Sequence, residues 1–187
     1  MARPFPDLAT LERALAGRPH PPVEGPGRPA AVMVCLWRDA VLLLRRAQHP
    51  LDPWSGHMSL PGGRHEDGDD GLLRTALRET HEEVGLELER DGRVLGALGE
   101  YAGRGAGVAS IRIAAFVASL ETHPDLVLSD EVDSAFWVPL ADLDPTASTV
   151  SELRGSVPAY RPVIDGGELV VWGITFGILE LLREVTP

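Results

Sequence analysis

An α/β domain with a mixed sheet between helical layers is predicted by three features of the 187-residue sequence. Apolar strand-like runs flank a central helical segment, a glycine-rich turn feeds that segment, and an apolar helix closes the chain. This length suits one domain with a sizeable core. The net charge is −11 and the 17 basic residues are all arginine, which argues against a broad nucleic-acid-binding surface. Cys35 is the sole cysteine and sits in an apolar run, so a buried thiol is expected and no disulfide can form within the chain. No signal-like segment and no run long enough to span a bilayer occur, so a cytoplasmic protein without a membrane partner is expected.

Residues 1–29 read as an N-terminal helix and proline-rich connector. Asp7 to Ala16 places Leu8, Leu11 and Leu15 on one helical side, and Pro19 to Pro29 follows as the connector. The domain proper is expected over residues 30–187. Ala31 to Trp37 and Val41 to Arg45 surround Arg38-Asp39 in the pattern of a buried hairpin. Arg46 to Ser59 carries few regular signals. Arg93 to Tyr101 and Ile111 to Leu120 read as strands joined by the glycine-rich Ala102 to Gly107, and Val132 to Val138 as a further strand, with a turn of helix near Leu140. Val170 to Glu184 is predicted to be the closing helix, with Trp172, Phe176, Leu179 and Leu182 facing the core.

The stretch from Leu60-Pro61-Gly62-Gly63 to Arg78-Glu79-Thr80-His81-Glu82-Glu83-Val84-Gly85 organises the rest. As a helix over Gly71 to Val84, it places Leu72, Leu73, Ala76, Leu77, Thr80 and Val84 on the packing arc. Glu79, Glu82 and Glu83 fall on a neighbouring arc, where their carboxylates repel one another unless a cation sits among them, and hard oxygen donors suit Mg²⁺ or Mn²⁺. The alternative is a solvated acidic face on which Arg78 pairs with Glu82 at i+4. Asp69 or Asp70 is placed to cap the helix, and Gly85 to end it in a left-handed conformation. The glycines let main-chain groups approach a metal-bound phosphate closely.

This stretch resembles the signature of the Nudix hydrolases, in which a glycine and an acidic residue precede R-E-U-x-E-E-x-G-U, with U apolar. Asp69 stands where glutamate is usual, Thr80 takes an apolar place, and one extra residue precedes Arg78. The resemblance implies a Nudix-type α/β/α sandwich with a mixed β-sheet and hydrolysis of a phosphoanhydride. It also implies Glu79 and Glu83 as metal ligands, Glu82 as a further ligand, and the Gly62 carbonyl as a main-chain ligand, with Gly63 lining the substrate and Arg78 orienting a glutamate. Glu131, in Ser129-Asp130-Glu131-Val132, is the candidate base or distal ligand; a solvent-facing strand-entry acid is its alternative, and Glu100 and Glu152 are its rivals.

The extra residue and Asp69 are similar to the coenzyme A pyrophosphatase-like branch. So are Leu42-Leu43-Leu44-Arg45-Arg46-Ala47, Gly56 to Gly63, and Val171-Trp172-Gly173-Ile174-Thr175. The second arginine of that branch's motif is missing near Leu51-Asp52, and Leu44 and Leu60 replace Thr and Phe. The implied substrate is therefore a small-molecule nucleoside diphosphate derivative: coenzyme A, a nucleotide sugar, ADP-ribose or a dinucleotide. Arg46, Arg104 and Arg112 are candidate phosphate ligands, Arg46 having a surface ion pair as its alternative. Trp54 is placed to stack on a base or to pack under the turn, and Trp172 to close the core. His49, His57, His65 and His81 form no zinc pattern. A non-catalytic nucleotide-binding or regulatory protein on the same fold is the competing function, and the sequence is compatible with a homodimer.

Overall fold

The computed structural model describes residues 3–25, 27–50, 52, 54–102, 111–149 and 156–186. In chain order the elements begin with helix α1 (Leu8–Leu15) and strands β1 (Arg28–Trp37), β2 (Ala40–Arg46), β3 (Met58–Ser59) and β4 (Gly62–Arg64). Helices α2 (Gly71–Val84) and α3 (Leu88–Asp91) follow, then β5 (Gly92–Ala102), β6 (Ile111–Leu120) and β7 (Val132–Pro139). A 3₁₀ turn at Leu140–Asp142 leads to β8 (Pro145–Thr149), β9 (Ser156–Tyr160), β10 (Val163–Ile164), β11 (Gly167–Glu168), β12 (Val171–Trp172) and α4 (Gly173–Arg183).

The main sheet is built on β1. One edge of β1 pairs in parallel with β6 along its whole length, and β6 pairs antiparallel with β5. The other edge is shared: Leu36 and Trp37 pair with β2, while Ala30, Ala31 and Val32 pair with β4. Strands β3 and β7 extend the β2 side. The sheet is therefore mixed, as expected. The predicted hairpin forms between β1 and β2, with Arg38 at a φ of 55°.

Alternation along β1 and β6 divides the core into two layers. Val34, Leu36, Ile113, Ala115 and Val117 face α1 and α4, whereas Met33, Cys35, Ala114, Phe116 and Ala118 face α2 and α3. Cys35 is fully buried, and burial pushes its thiol up to about 12, which fits an inert packing role.

The N-terminal helix is part of this core. Leu11 and Leu15 are 1% and 0% exposed, a burial that contributes roughly 2 kcal/mol for each side chain. Gly96, at a bulge in β5 with a φ of 143°, makes the approach of α1 feasible: a Cβ there would lie 2.4 Å from the Leu15 carbonyl oxygen. The connector follows the α2 side of the sheet, where His20 meets Phe116 edge-on at 5.4 Å and Val23 packs on the core.

The expected helix over Val170 to Glu184 starts later, at Gly173. Val171 and Trp172 instead pair as a strand with Tyr160 and Ala159, because β9 offers an open edge that the local helical periodicity does not reveal. Near the end of α4, Arg183 is buried and donates to the carbonyls of Arg3 and Leu143 and to Glu180. Its guanidinium also lies 3.9 Å from the Phe5 ring centroid. Among the described residues no helix is long and apolar enough to cross a membrane.

Because Arg183 joins the chain's beginning, its end and the 3₁₀ turn, Arg183→Met strands the carbonyls of Arg3 and Leu143 and leaves Glu180 with the Tyr160 hydroxyl as its donor. Urea denaturation is expected to show a loss of about 3 kcal/mol; an unchanged midpoint contradicts this role.

Candidate functional site

The glutamate helix spans Gly71–Val84, as its pattern predicts, and Gly85 ends it at a φ of 75°. Leu72, Ala76, Thr80 and Val84 are buried, while Leu73 and Leu77 are partly buried against the same layer. The capping expectation fails. Asp70 occupies the N-cap position without a side-chain bond, and Asp69 is taken up elsewhere: its carboxylate accepts from Arg78 Nε and Nη2, both at 3.0 Å, from Thr75 Oγ1 at 2.9 Å, and from the Glu66 amide. His65 Nδ1 lies 3.0 Å from Thr75 Oγ1. Arg78 also donates to the Arg64 carbonyl at 3.0 Å, so one guanidinium pins the glycine turn to the helix.

The three glutamates separate according to their angular positions. Glu83 faces inward and is 5% exposed, with its carboxylate accepting the Gly62 amide at 2.9 Å. Glu79 lies on the rim, and Arg78 Nη1 donates to it at 3.0 Å. The same nitrogen donates to Glu82 at 2.9 Å, whose side chain is 54% exposed. The ion pair expected of a solvated acidic face therefore forms, and the same arginine orients Glu79. A Cβ on Gly63 would lie 2.4 Å from the Glu79 carboxyl carbon, and one on Gly62, whose φ is 151°, would lie 2.3 Å from the Ala31 carbonyl oxygen. Gly62 thus lets the turn lie against β1, and Gly63 leaves Glu79 the space that its carboxylate occupies.

Glu131 arrives from a distant segment. The amides of Val127 and Ser129 donate to the carbonyls of Val84 and Glu83, each at 3.0 Å, and the Ala47 amide donates to the Glu131 carbonyl at 2.9 Å. These bonds fasten the approach to β7 against the end of the glutamate helix and the end of β2. Burial pushes the Glu83 carboxyl up to about 7; the Gly62 amide and Arg46 oppose the shift, while Glu79 and Glu131 add to it. Glu79 is also raised, first by burial and then by Glu82 and Glu131, against the pull of Arg78.

Glu83, a buried oxygen donor, and its neighbour Glu79 are thus both disfavoured in their charged forms. Their chemistry fits a hard divalent cation. Among the described residues no three His, Cys, Asp or Glu side chains form a ready cage, since Arg78 holds Glu79 and Glu82 while Gly62 holds Glu83.

Two of the expected phosphate ligands are engaged within the chain. Arg46 donates to Asp52 through Nε and Nη2 at 3.1 and 2.7 Å, the ion pair that was its alternative. Arg112 donates to Glu100 and to the carbonyls of Pro22 and Glu24, so it straps the connector to β6. This also engages Glu100, a rival base. Arg104 and Glu152 lie outside the described residues. The parts that sequence reasoning missed, Thr75, His65 and the backbone bonds that place Glu131, make tertiary contacts with no periodic signal.

Bonding to Arg78 holds the Asp69 carboxyl down at about 2. A carboxyl depressed in the folded state stabilises the fold above its unfolded value near 3.9 and loses that effect as pH falls toward 2. Asp69→Asn is expected to cost about 2 kcal/mol at pH 7. The gap to the parent protein should close between about pH 4 and pH 2 in chemical denaturation. A gap independent of pH contradicts the ion-pair account.

Residues 27–160 match the NUDIX domain. A Schizosaccharomyces pombe protein is 42% identical over 55% of this chain, which spans only 32% of that longer relative. A mouse mitochondrial coenzyme A diphosphatase is 34% identical, with 86% of this chain and 80% of the relative covered. The crystal structure of a MutT NUDIX hydrolase from Burkholderia pseudomallei superposes with a TM-score of 0.51 at 25% identity, over 65% of this chain and 88% of its own. With the domain match covering most of its length and the glycine turn seated on the glutamate helix, the chain belongs to the Nudix hydrolase family.

Proposed function

We propose that the protein is a cytoplasmic, Mg²⁺- or Mn²⁺-dependent diphosphohydrolase that cleaves the phosphoanhydride of a nucleoside diphosphate linked to another moiety. The observation that carries this reading is the seating of buried Glu83 and of Glu79 against a side-chain-free turn, Glu83 accepting the Gly62 amide and Glu79 lying where a Gly63 side chain would be. Coenzyme A is the first candidate substrate: the relative that is 34% identical is named a coenzyme A diphosphatase. The missing upstream arginine keeps nucleotide sugars, ADP-ribose and dinucleotides in the tested set.

Glu79 and Glu83, with the Gly62 carbonyl and with Glu82 as an outer ligand, would hold the divalent ion. When bound, such an ion offsets the charge of the diphosphate, polarises the P–O bond and lowers the pKa of water. The chain's own residues do the rest. The bare Gly62-Gly63 backbone leaves room for phosphate oxygens beside Glu79, and Arg78 keeps Glu79 and Glu82 from swinging into solvent. Glu131, exposed and, among the described residues, anchored through its backbone, is placed to accept a proton from the attacking water. Arg46 carries positive charge close enough to Glu83 to favour its ionised form, which suits a neighbour of the phosphates. Arg112 has no substrate role in this scheme, because its donors are bound.

Incubation with Mg²⁺ and coenzyme A, nucleotide sugars, ADP-ribose, dinucleotides or nucleoside triphosphates, with product identification, tests the reading. Cleavage of an NDP-linked substrate into two phosphomonoester products is expected. Release of pyrophosphate from triphosphates alone would contradict the substrate class, and binding without hydrolysis under Mg²⁺ and Mn²⁺ would favour the regulatory alternative. Glu83→Gln is expected to abolish measurable turnover. Glu131→Gln should cut kcat by at least a hundredfold with little change in affinity; near-normal turnover would remove Glu131 from the mechanism.

A further inference from the structure

Trp54 and His57, three residues apart in one turn, form an aromatic group with Trp172 from a distant part of the chain. The Trp54 and His57 ring centroids are 5.8 Å apart, those of His57 and Trp172 5.2 Å, and those of the two tryptophans 6.5 Å. Trp172 was expected to close the core, yet it is only partly buried, at the junction of β12 and α4. Trp54 is 44% exposed, an expensive position for a large apolar ring that no core requirement explains.

This group is fastened to the glutamate site. The Gly56 amide donates to the Arg46 carbonyl at 3.0 Å, and the Arg46 amide donates to the His57 carbonyl at 3.1 Å. Asp52, which holds the Arg46 guanidinium, also accepts the Trp54 amide at 3.0 Å. Thr175 Oγ1 donates to the Met58 carbonyl at 3.0 Å, which ties the first turn of α4 and the adjoining Trp172 to β3, the strand that pairs with the end of β2. The turn that presents Trp54 therefore shares its backbone bonds with Arg46, whose positive charge acts on Glu83.

We propose that Trp54, backed by His57 and Trp172, is a stacking platform for the planar heterocyclic base of the substrate. The inference rests on the reading of the glutamates as a diphosphate site. A substrate of this class has an anionic diphosphate and an uncharged base, and the chain carries a net charge of −11. Stacking on an uncharged ring gives the base end affinity that the acidic field does not oppose, and it accepts any base because each has a π face. The competing occupant of the exposed ring is a second copy of this chain.

The test is isothermal titration in Mg²⁺ buffer with two non-hydrolysable probes: α,β-methylene-ADP, which has a base, and methylenediphosphonate, which has none. Trp54→Ala should weaken methylene-ADP about tenfold or more and leave methylenediphosphonate unchanged, while Trp54→Phe restores most of the affinity. Circular dichroism checks that each variant is folded. Unchanged methylene-ADP affinity, equal weakening of both probes, no methylene-ADP binding by the parent protein, or a dimer-to-monomer shift that accounts for the loss each overturns the platform. Failure of the underlying reading looks different: methylene-ADP then binds through Trp54, yet no diphosphate is hydrolysed.

Discussion

The close seating of a side-chain-free turn on a helix that carries buried acid is the constraint on which the site depends. Glu83 has the Gly62 amide as its hydrogen-bond donor, and Glu79 occupies the space that a side chain on residue 63 would need. Both contacts require the turn to be held down, and Arg78 does this by joining Asp69, the Arg64 carbonyl, Glu79 and Glu82. The sheet supplies the reason the turn lies there at all. The edge of β1 is divided between β2 and β4, and the chain enters β4 from β3 through Leu60 and Pro61.

Charge in this region is balanced unequally. Asp69 is matched by Arg78 and ionises easily, whereas burial and the like charges of Glu79 and Glu131 resist ionisation of Glu83. One carboxylate thus stabilises the fold, and Glu79 and Glu83 resist a charge that a hard cation would favour. The separation of these roles explains why the arginine of the motif sits between Asp69 and the glutamates. It explains equally why Glu82, turned outward, is the least constrained of the three.

The glutamate helix was legible in the sequence to its end residues because its apolar spacing, glycine stop and paired acids are all local features. The hairpin at Arg38-Asp39 and the strands from β5 to β7 were legible for the same reason. Local patterning failed where tertiary pairing decided the outcome. Trp172 reads as helical but joins the edge of β9, and Leu11 and Leu15 read as part of an appendage yet pack beneath a bulge at Gly96 that no periodicity announces. Asp69 reads as a cap, but Arg78, nine residues along the chain, competes for it and wins. Likewise, an arginine's sequence position does not reveal whether acceptors already surround it, as they do Arg112.

The central claim is that the bare turn lets Glu79 and Glu83 act together on one divalent ion. Titration of Mn²⁺, followed by its electron paramagnetic resonance signal in the parent protein and in Gly63→Ala, tests it most directly. The substitution should leave metal-free thermal stability within about 2 °C of the parent, because the displaced group is the end of a flexible side chain, and should weaken Mn²⁺ binding at least tenfold. Equal Mn²⁺ affinity in the two proteins would contradict the claim.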